Sequence, residues 1–215
     1  MKLRWKREIF AMAILVTMAI VAIFYYPMLP GIVASHFDSH GKPNGWMAKT
    51  TYLVIMGSTV VFIYLSLTFL PLIDPLKKKI EVKFRNILFF RDIFLMFFAL
   101  IFFISLEAAR EKALNVNLFG IALGSLFIVV GNYLPKVPQN WFVGIRTPWT
   151  ISSEVVWKRT HIVGGWLFIL SGAFYIICVA LKVDGVIILW VAILIPLISV
   201  PYSFFLYKKN EKDGT

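Results

Sequence analysis

Three groups of residues in this sequence carry side chains able to do chemistry. The first is His36, Asp38 and His40, two imidazoles and a carboxylate at every second position. In an extended chain that spacing puts all three on one face, and imidazole and carboxylate are zinc ligands. Gly41, Pro43, Asn44 and Gly45 follow at once and mark a turn-rich loop, so the expectation is a solvent-facing turn without a metal. The second group is built around Arg146, in Gly144-Ile145-Arg146-Thr147-Pro148-Trp149, with Asn140 before it and Glu154, Trp157 and His161 after it. The planar guanidinium fork suits a carboxylate, a phosphate or a row of backbone carbonyls. Three roles stay open for Arg146: a lipid-phosphate anchor, a pin that holds its loop by bonding carbonyls, or a contact for a partner or ligand. His161, at a helix mouth, reads as an interfacial residue. The third group is Arg91-Asp92, about one turn inside an apolar run. Near the membrane surface such side chains snorkel toward water. The sequence has no HExxH, GxSxG, P-loop or Gly-x-Gly-x-x-Gly pattern, so no enzyme and no cofactor is expected.

The elements that position these groups are membrane helices. Of 215 residues, 60% are hydrophobic and 15% charged, against roughly 45–50% and 25% in soluble domains. Six apolar runs approach or exceed the ~20 residues needed to cross a bilayer: Ile9–Tyr26, Tyr52–Ile73, Ile87–Leu106, Val116–Leu134, Ile162–Leu181 and Val186–Tyr207. They are apolar all round, unlike the alternating strands of a barrel. The first lacks a small-residue cleavage site and runs into Tyr25-Tyr26-Pro27, so it reads as a retained helix. Lys182-Val183-Asp184-Gly185 reads as a tight turn between the last two. The single cysteine, Cys178, admits no intramolecular disulfide.

The net charge of +11 is explained by topology. With the N-terminus inside, seventeen of the 22 Lys and Arg residues fall on the inner side and five (Lys42, Lys49, Arg110, Lys112, Lys182) outside. The positive-inside rule then gives both termini inside, and anionic lipid heads account for the basic surface without a direct nucleic-acid role. The expected fold is an all-α integral membrane protein, a six-helix bundle with N-in and C-in topology. Its regions are 1–86, with an ordered outer loop, and 87–215, with an ordered inner loop.

Both loops have internal logic. In the inner loop Pro135 and Pro138 end helix 4, Gly144 suits a positive φ, and Ser152-Ser153-Glu154 resembles a helix start. A short helix Glu154–His161, with Val156, Trp157 and Thr160 near one face, is expected to lie in the interface plane. Gly120, Gly124 and Gly131 in helix 4, and Gly164, Gly165 and Gly172 in helix 5, provide small faces for close packing. Three helices starting on each side also admit an inverted repeat, and with it a second reading as a small transporter or channel, whose mark would be a broken helix with polar residues at midplane.

The inner-loop pattern resembles the SdpI family: Asn140, then Gly144 through Thr150, Glu154, Trp157-Lys158 and His161, followed by Gly164 or Gly165. The outer stretch Leu29-Pro30, Ile32, His36-Phe37, Gly41, Pro43-Asn44, Trp46 and Lys49 is similar to DUF1648, a domain of unknown function found at the start of such proteins. The resemblance implies a multipass bacterial cell-membrane protein conferring immunity to a secreted, membrane-active peptide toxin. It implies further that the protein signals by holding a cognate transcriptional repressor at the membrane. On that basis Pro30, His36, Phe37, Asp38, Gly41, Pro43, Trp46 and Lys49 form a candidate toxin-facing loop. Asn140, Gly144, Arg146, Thr147, Pro148, Trp149, Glu154, Trp157 and His161 form a candidate partner-facing loop, with Glu154–His161 as the two-state element signalling would need.

Overall fold

A computed structural model describes residues 5–111, 113–183 and 186–212. The sequence elements at Lys2, Arg4, Lys112 and the Asp184-Gly185 turn lie outside the described residues. The apolar runs fold as helices because a backbone surrounded by hydrocarbon must satisfy its own polar groups. They are α1 (Trp5–Tyr25), α2 (Lys49–Phe69), α4 (Phe84–Glu111), α5 (Val116–Tyr133), α7 (Glu154–Ala180) and the pair α8 (Val186–Leu197) and α9 (Ser199–Lys212), with short helices α3 (Lys77–Val82) and α6 (Pro148–Ser152) between them. Among the described residues six spans are long and apolar enough to cross a membrane. The protein is a multipass membrane protein.

The loop between the first two spans is not a plain turn. It is a β-hairpin of β1 (Ile32–Phe37) and β2 (Pro43–Ala48), paired antiparallel from Ile32↔Ala48 to Phe37↔Pro43 with irregularities at His36. Turn chemistry at its tip hid two strands too short to show alternation. Asp38 builds that tip by accepting the amides of His40 and Lys42, each at 2.9 Å. The Lys42 amide first, and then that of His40, hold the exposed Asp38 carboxyl below the usual carboxylate range.

The chain divides into two compact units. One comprises 2–66 and 91–122. Its core joins Ala11 and Met18 of α1, Val33 of β1, Tyr52 and Val60 of α2, and Leu95, Phe102 and Leu106 of α4. Tyr52 donates to Ser105 at 2.6 Å, and Tyr25 donates to Glu107. The hairpin tip is tied down by Leu114, whose amide donates to the Gly41 carbonyl at 2.9 Å. Arg91 does not snorkel. It is fully buried, with the Glu8 and Asp92 carboxylates at 2.7 and 2.8 Å as partners.

The other unit comprises 67–90 and 123–215. Here α7 packs on α8 and α9, and its glycines meet those of α5. A Cβ on Gly131 would stand 2.5 Å from the Gly165 carbonyl, and one on Gly165 would stand 2.6 Å from the Gly131 carbonyl. Two readings are corrected. Glu154–His161 is not a separate interfacial helix but the first two turns of α7. Val156, Trp157, Thr160 and His161 are buried there, and the preceding loop bonds Trp157 and His161 through Val137 and Ile145, so polar sequence there did not require a break. The last span is not one helix but two, interrupted at Ile198, because Pro196 lacks the amide that would bond Ala192. Ser171 of α7 donates to that freed Ala192 carbonyl. Ser199 and Ser203 donate back to Pro196 and Val200 at 2.6 Å. A broken helix is therefore present, and the Ala192, Pro196 and Val200 carbonyls around the break each accept a serine hydroxyl.

Candidate functional site

The stretch from Leu134 to His161 is a knot of closed hydrogen bonds. A 3-10 turn, Leu134–Lys136, follows α5 because Pro135 ends the α-helical pattern. Asn140 sits at the centre, fully buried. Its amide nitrogen donates to the Pro138 and Val143 carbonyls, both at 2.8 Å. Its oxygen accepts from Phe142 and Val143 at 2.8 and 2.6 Å. Both donors and both lone pairs of the side-chain amide are thus engaged. A carboxylate cannot make the two donations. Asn140→Asp is expected to cost on the order of 3 kcal/mol, since it buries a charge against two carbonyls. Thermal unfolding in detergent, followed by tryptophan fluorescence, checks this; an unchanged midpoint would contradict it.

His161 is the second anchor, and it is not interfacial: it is fully buried. Its Nε2 accepts the Ile145 amide at 3.1 Å, and Nδ1 faces the Trp157 carbonyl at 2.8 Å. A ring that accepts at one nitrogen and donates at the other is neutral with the proton on Nδ1. The polar start of α7 is what lets it serve the loop. Trp157 stacks on the imidazole with centroids 4.0 Å apart and donates its indole N–H to the Val137 carbonyl at 3.0 Å. Gly144 passes over this pair at φ 116°, where a Cβ would run into His161 Nε2.

Thr147 and Pro148 start α6. The Thr147 hydroxyl accepts the Thr150 amide at 3.2 Å while the Thr150 hydroxyl accepts the Thr147 amide at 2.8 Å, a reciprocal cap. The Thr147 hydroxyl lies 3.1 Å from that of Ser203 on α9. Trp149 packs edge-on to Phe204, centroids 4.9 Å apart. Ser153 then caps α7 by accepting the Val156 amide at 3.4 Å, as the hydroxyl-rich sequence predicts. Gln139 closes the C-terminal end of α6 by donating to the Thr150 and Ile151 carbonyls at 2.9 and 2.8 Å. Lys79 binds both Gln139 at 2.8 Å and Glu154 at 2.7 Å. Asp74, buried, accepts the Trp141 amide at 2.8 Å.

Arg146 is exposed and donates through Nη1 to the Trp141 carbonyl at 2.7 Å. Of the three roles open to it, carbonyl bonding is the one with a visible bond. The rest of its fork, with exposed Trp141 and Pro148, faces outward. The structure thus brings Asn140, Gly144, Thr147, Pro148, Trp149, Trp157 and His161 into one assembly, with Glu154 at its edge through Lys79. Thr150, already part of the pattern, belongs to it, and Gln139, Asp74, Lys79 and Ser203 belong to it but were missed from sequence. Asp74 had a signal, as the lone acid in Leu70-Pro71-Leu72-Ile73-Asp74-Pro75; Ser203 had none.

A family comparison covers most of this stretch. Residues 136–204 match the SdpI/YfhL protein family. Residues 13–60 match DUF1648, a domain of unknown function. The chain is 27% identical over 210 residues to "Immunity protein SdpI" of Bacillus subtilis (strain 168), covering 95% of this chain and 97% of that protein. These matches show the SdpI resemblance read from the sequence. No solved structure matches. The SdpI/YfhL match starts in the turn after α5 and ends in α9, so it holds nearly all of the knot, including the buried Asn140, Thr147, Trp157 and His161.

The DUF1648 match ends in α2 and contains the hairpin. Pro30, His36 and Trp46 are exposed, Phe37 and Pro43 half-buried. His36 pairs with Asn44, and Asp38 is committed to its turn. Among the described residues no three His, Cys, Asp or Glu side chains are grouped to hold a metal. Gly41 adopts φ 77° and abuts Leu114. Lys49 donates to the Tyr26 and Leu29 carbonyls at 3.0 and 3.2 Å, pinning the hairpin base.

Proposed function

We propose that this chain is a membrane immunity protein that protects the bacterial cell making it from a secreted, membrane-active peptide. The observation that carries the reading is the near full-length relationship to an immunity protein. The membrane architecture and the family match over the knot support it. We take both termini to lie inside, which the charge distribution supports. The hairpin, between the first two spans, then faces outside, and the knot, between the fourth and fifth, faces inside. The hairpin is the candidate toxin-facing surface. The exposed part of the knot, Arg146 with Trp141 and Pro148, is the candidate contact for a cytoplasmic repressor. No enzymatic step is part of this reading.

The test combines topology and challenge. With Cys178 replaced by alanine, Lys42→Cys is expected to react with an impermeant thiol reagent on intact cells and Lys158→Cys only after lysis. Both reacting on the same side would reject the topology. In a toxin-sensitive strain exposed to the peptide, wild type is expected to preserve membrane potential and empty vector to lose it. Arg146→Ala removes one exposed hydrogen bond, so folding is expected to change by less than about 1 kcal/mol. Protection retained with operon induction lost would assign Arg146 to signalling. No protection by wild type would reject immunity toward that peptide.

A further inference from the structure

We propose that α3 and its flanks form a docking surface for the headgroups of anionic phospholipids, through Lys77, Lys78, Lys83, Arg85 and Lys136. The surface lies wholly in the unit made of 67–90 and 123–215. Only residues 73–83 separate the span that ends at Leu72 from the span that starts at Phe84. Six of them are wound into α3, so the link is too short to carry them far from the headgroup layer. Residues 77–85 hold Lys77, Lys78, Lys79, Lys83 and Arg85 against one acid, Glu81. Lys79 is turned to the knot, on Gln139 and Glu154. Lys77, Lys78, Lys83 and Arg85 are exposed.

The helix is held in one orientation. Ile80 is fully buried, Lys79 is bonded as above, and the Leu76 amide donates to Asp74 at 2.7 Å, whose other oxygen accepts the Trp141 amide. Lys78 and Val82 each lie two residues from Ile80, about 200° round the helix, so they share the side turned away from the protein. Val82 is 86% exposed and Ile73 is 73% exposed. Apolar side chains beside cations are costly to hold in water. At the boundary of headgroups and acyl chains the apolar groups dip inward and the ammonium groups meet phosphates, so both are satisfied. The surface continues onto the turn after α5. Asn86 donates to the Lys136 carbonyl at 2.8 Å, which sets exposed Lys136 beside the start of α4. Its ammonium stands 4.7 Å from the centroid of the Tyr133 ring, and tyrosine is enriched at headgroup level. Each cation near an anionic membrane is worth roughly fivefold in association. The place of this segment, between two spans, favours lipid over an acidic protein as its partner.

The experiment uses the full chain in phosphatidylcholine vesicles carrying a trace of spin-labelled phosphatidylglycerol or spin-labelled phosphatidylcholine. It reads the fraction of each label that the protein immobilises. At low salt wild type is expected to favour phosphatidylglycerol by about twofold or more, averaged over all the lipids it touches. High salt is expected to reduce that preference by screening. Lys77→Gln with Lys78→Gln, Lys83→Gln and Arg85→Gln is expected to remove most of the preference. Removing as many charges from α7 and α9, by Lys158→Gln with Arg159→Gln, Lys208→Gln and Lys209→Gln, is expected to leave most of it. Lys77→Arg with Lys78→Arg and Lys83→Arg keeps the charge and should keep the preference. All these positions are exposed, so the fold is expected to survive each change. A wild type without preference overturns the proposal and leaves this surface to an acidic protein. Equal losses in the two neutralised variants overturn it as well, because diffuse charge would then explain the preference.

Discussion

Gly144→Ala is expected to disable the knot more completely than any other single-methyl change. Two costs meet at this position. The backbone is at φ 116°, a region that side-chain-bearing residues avoid at about 1–3 kcal/mol. The new methyl would also collide with His161 Nε2 and stand 3.3 Å from the Trp157 ring. Neither neighbour can yield cheaply. His161 is held by Ile145 and by the Trp157 carbonyl, and Trp157 by Val137. Moving the imidazole would break the Ile145 bond and leave a buried ring nitrogen unpaired, about 1–3 kcal/mol more. A loss of roughly 3 kcal/mol or more is therefore expected. In vesicles the variant should show a lowered unfolding midpoint and new protease cleavage between residues 137 and 153. A variant as protected as wild type would show that the knot does not depend on this close approach.

The same position shows what the sequence discloses and what it withholds. Gly144 was legible as a positive-φ residue, Ser153 as a cap, the paired glycines as close-packing faces and the six runs as spans, because each rests on local chemistry. The partners that give Gly144 its importance lie 13 and 17 positions away on α7, and no local pattern announces them. The hairpin was hidden because its tip has the composition of a loop. The continuity of α7 was hidden because Trp157, Thr160 and His161 look like surface residues until the fold buries them. Arg91 looked like a snorkelling residue because its main partner, Glu8, is 83 residues away. Glu8 itself had a readable signal, as the lone acid among Lys2, Arg4, Lys6 and Arg7 at the mouth of an apolar helix.

Burial also separates architecture from recognition. Asn140, Thr147, Trp157 and His161 are spent on bonds within the protein, so their substitution would damage any function the protein has. Arg146 and Trp141 keep exposed surface, so only substitutions there distinguish contact with a partner from folding. On the hairpin the same logic favours Trp46 and His36 over Gly41 and Lys49, which hold the tip and the base.

The second large effect concerns the seam of α5 and α7. Gly131→Leu is expected to force these helices apart. Its Cβ alone would stand 2.5 Å from the Gly165 carbonyl and 2.9 Å from the Ile169 amide nitrogen. Both are backbone atoms, so no rotamer change relieves the contact and one helix must move. Because Gly124 abuts Gly172 in the same way, with the Gly172 carbonyl 2.9 Å from a Cβ on Gly124, a shift at one contact opens the other. Close approach of small residues is a main source of helix association in lipid, and overpacking a well-filled contact costs about 1–3 kcal/mol even when the chain adapts. Here α7 also carries Trp157 and His161, so displacing it should disturb the knot as well, and total destabilisation of at least about 3 kcal/mol is expected. Gly57 on α2 provides the contrast, since a Cβ there would meet no atom within 4 Å. Gly57→Ala should be neutral or stabilise by up to about 1 kcal/mol through reduced backbone freedom. Paired unfolding curves in one detergent check both: opposite signs would establish that the seam, rather than glycine content, holds α5 to α7, and equal losses would reject that account.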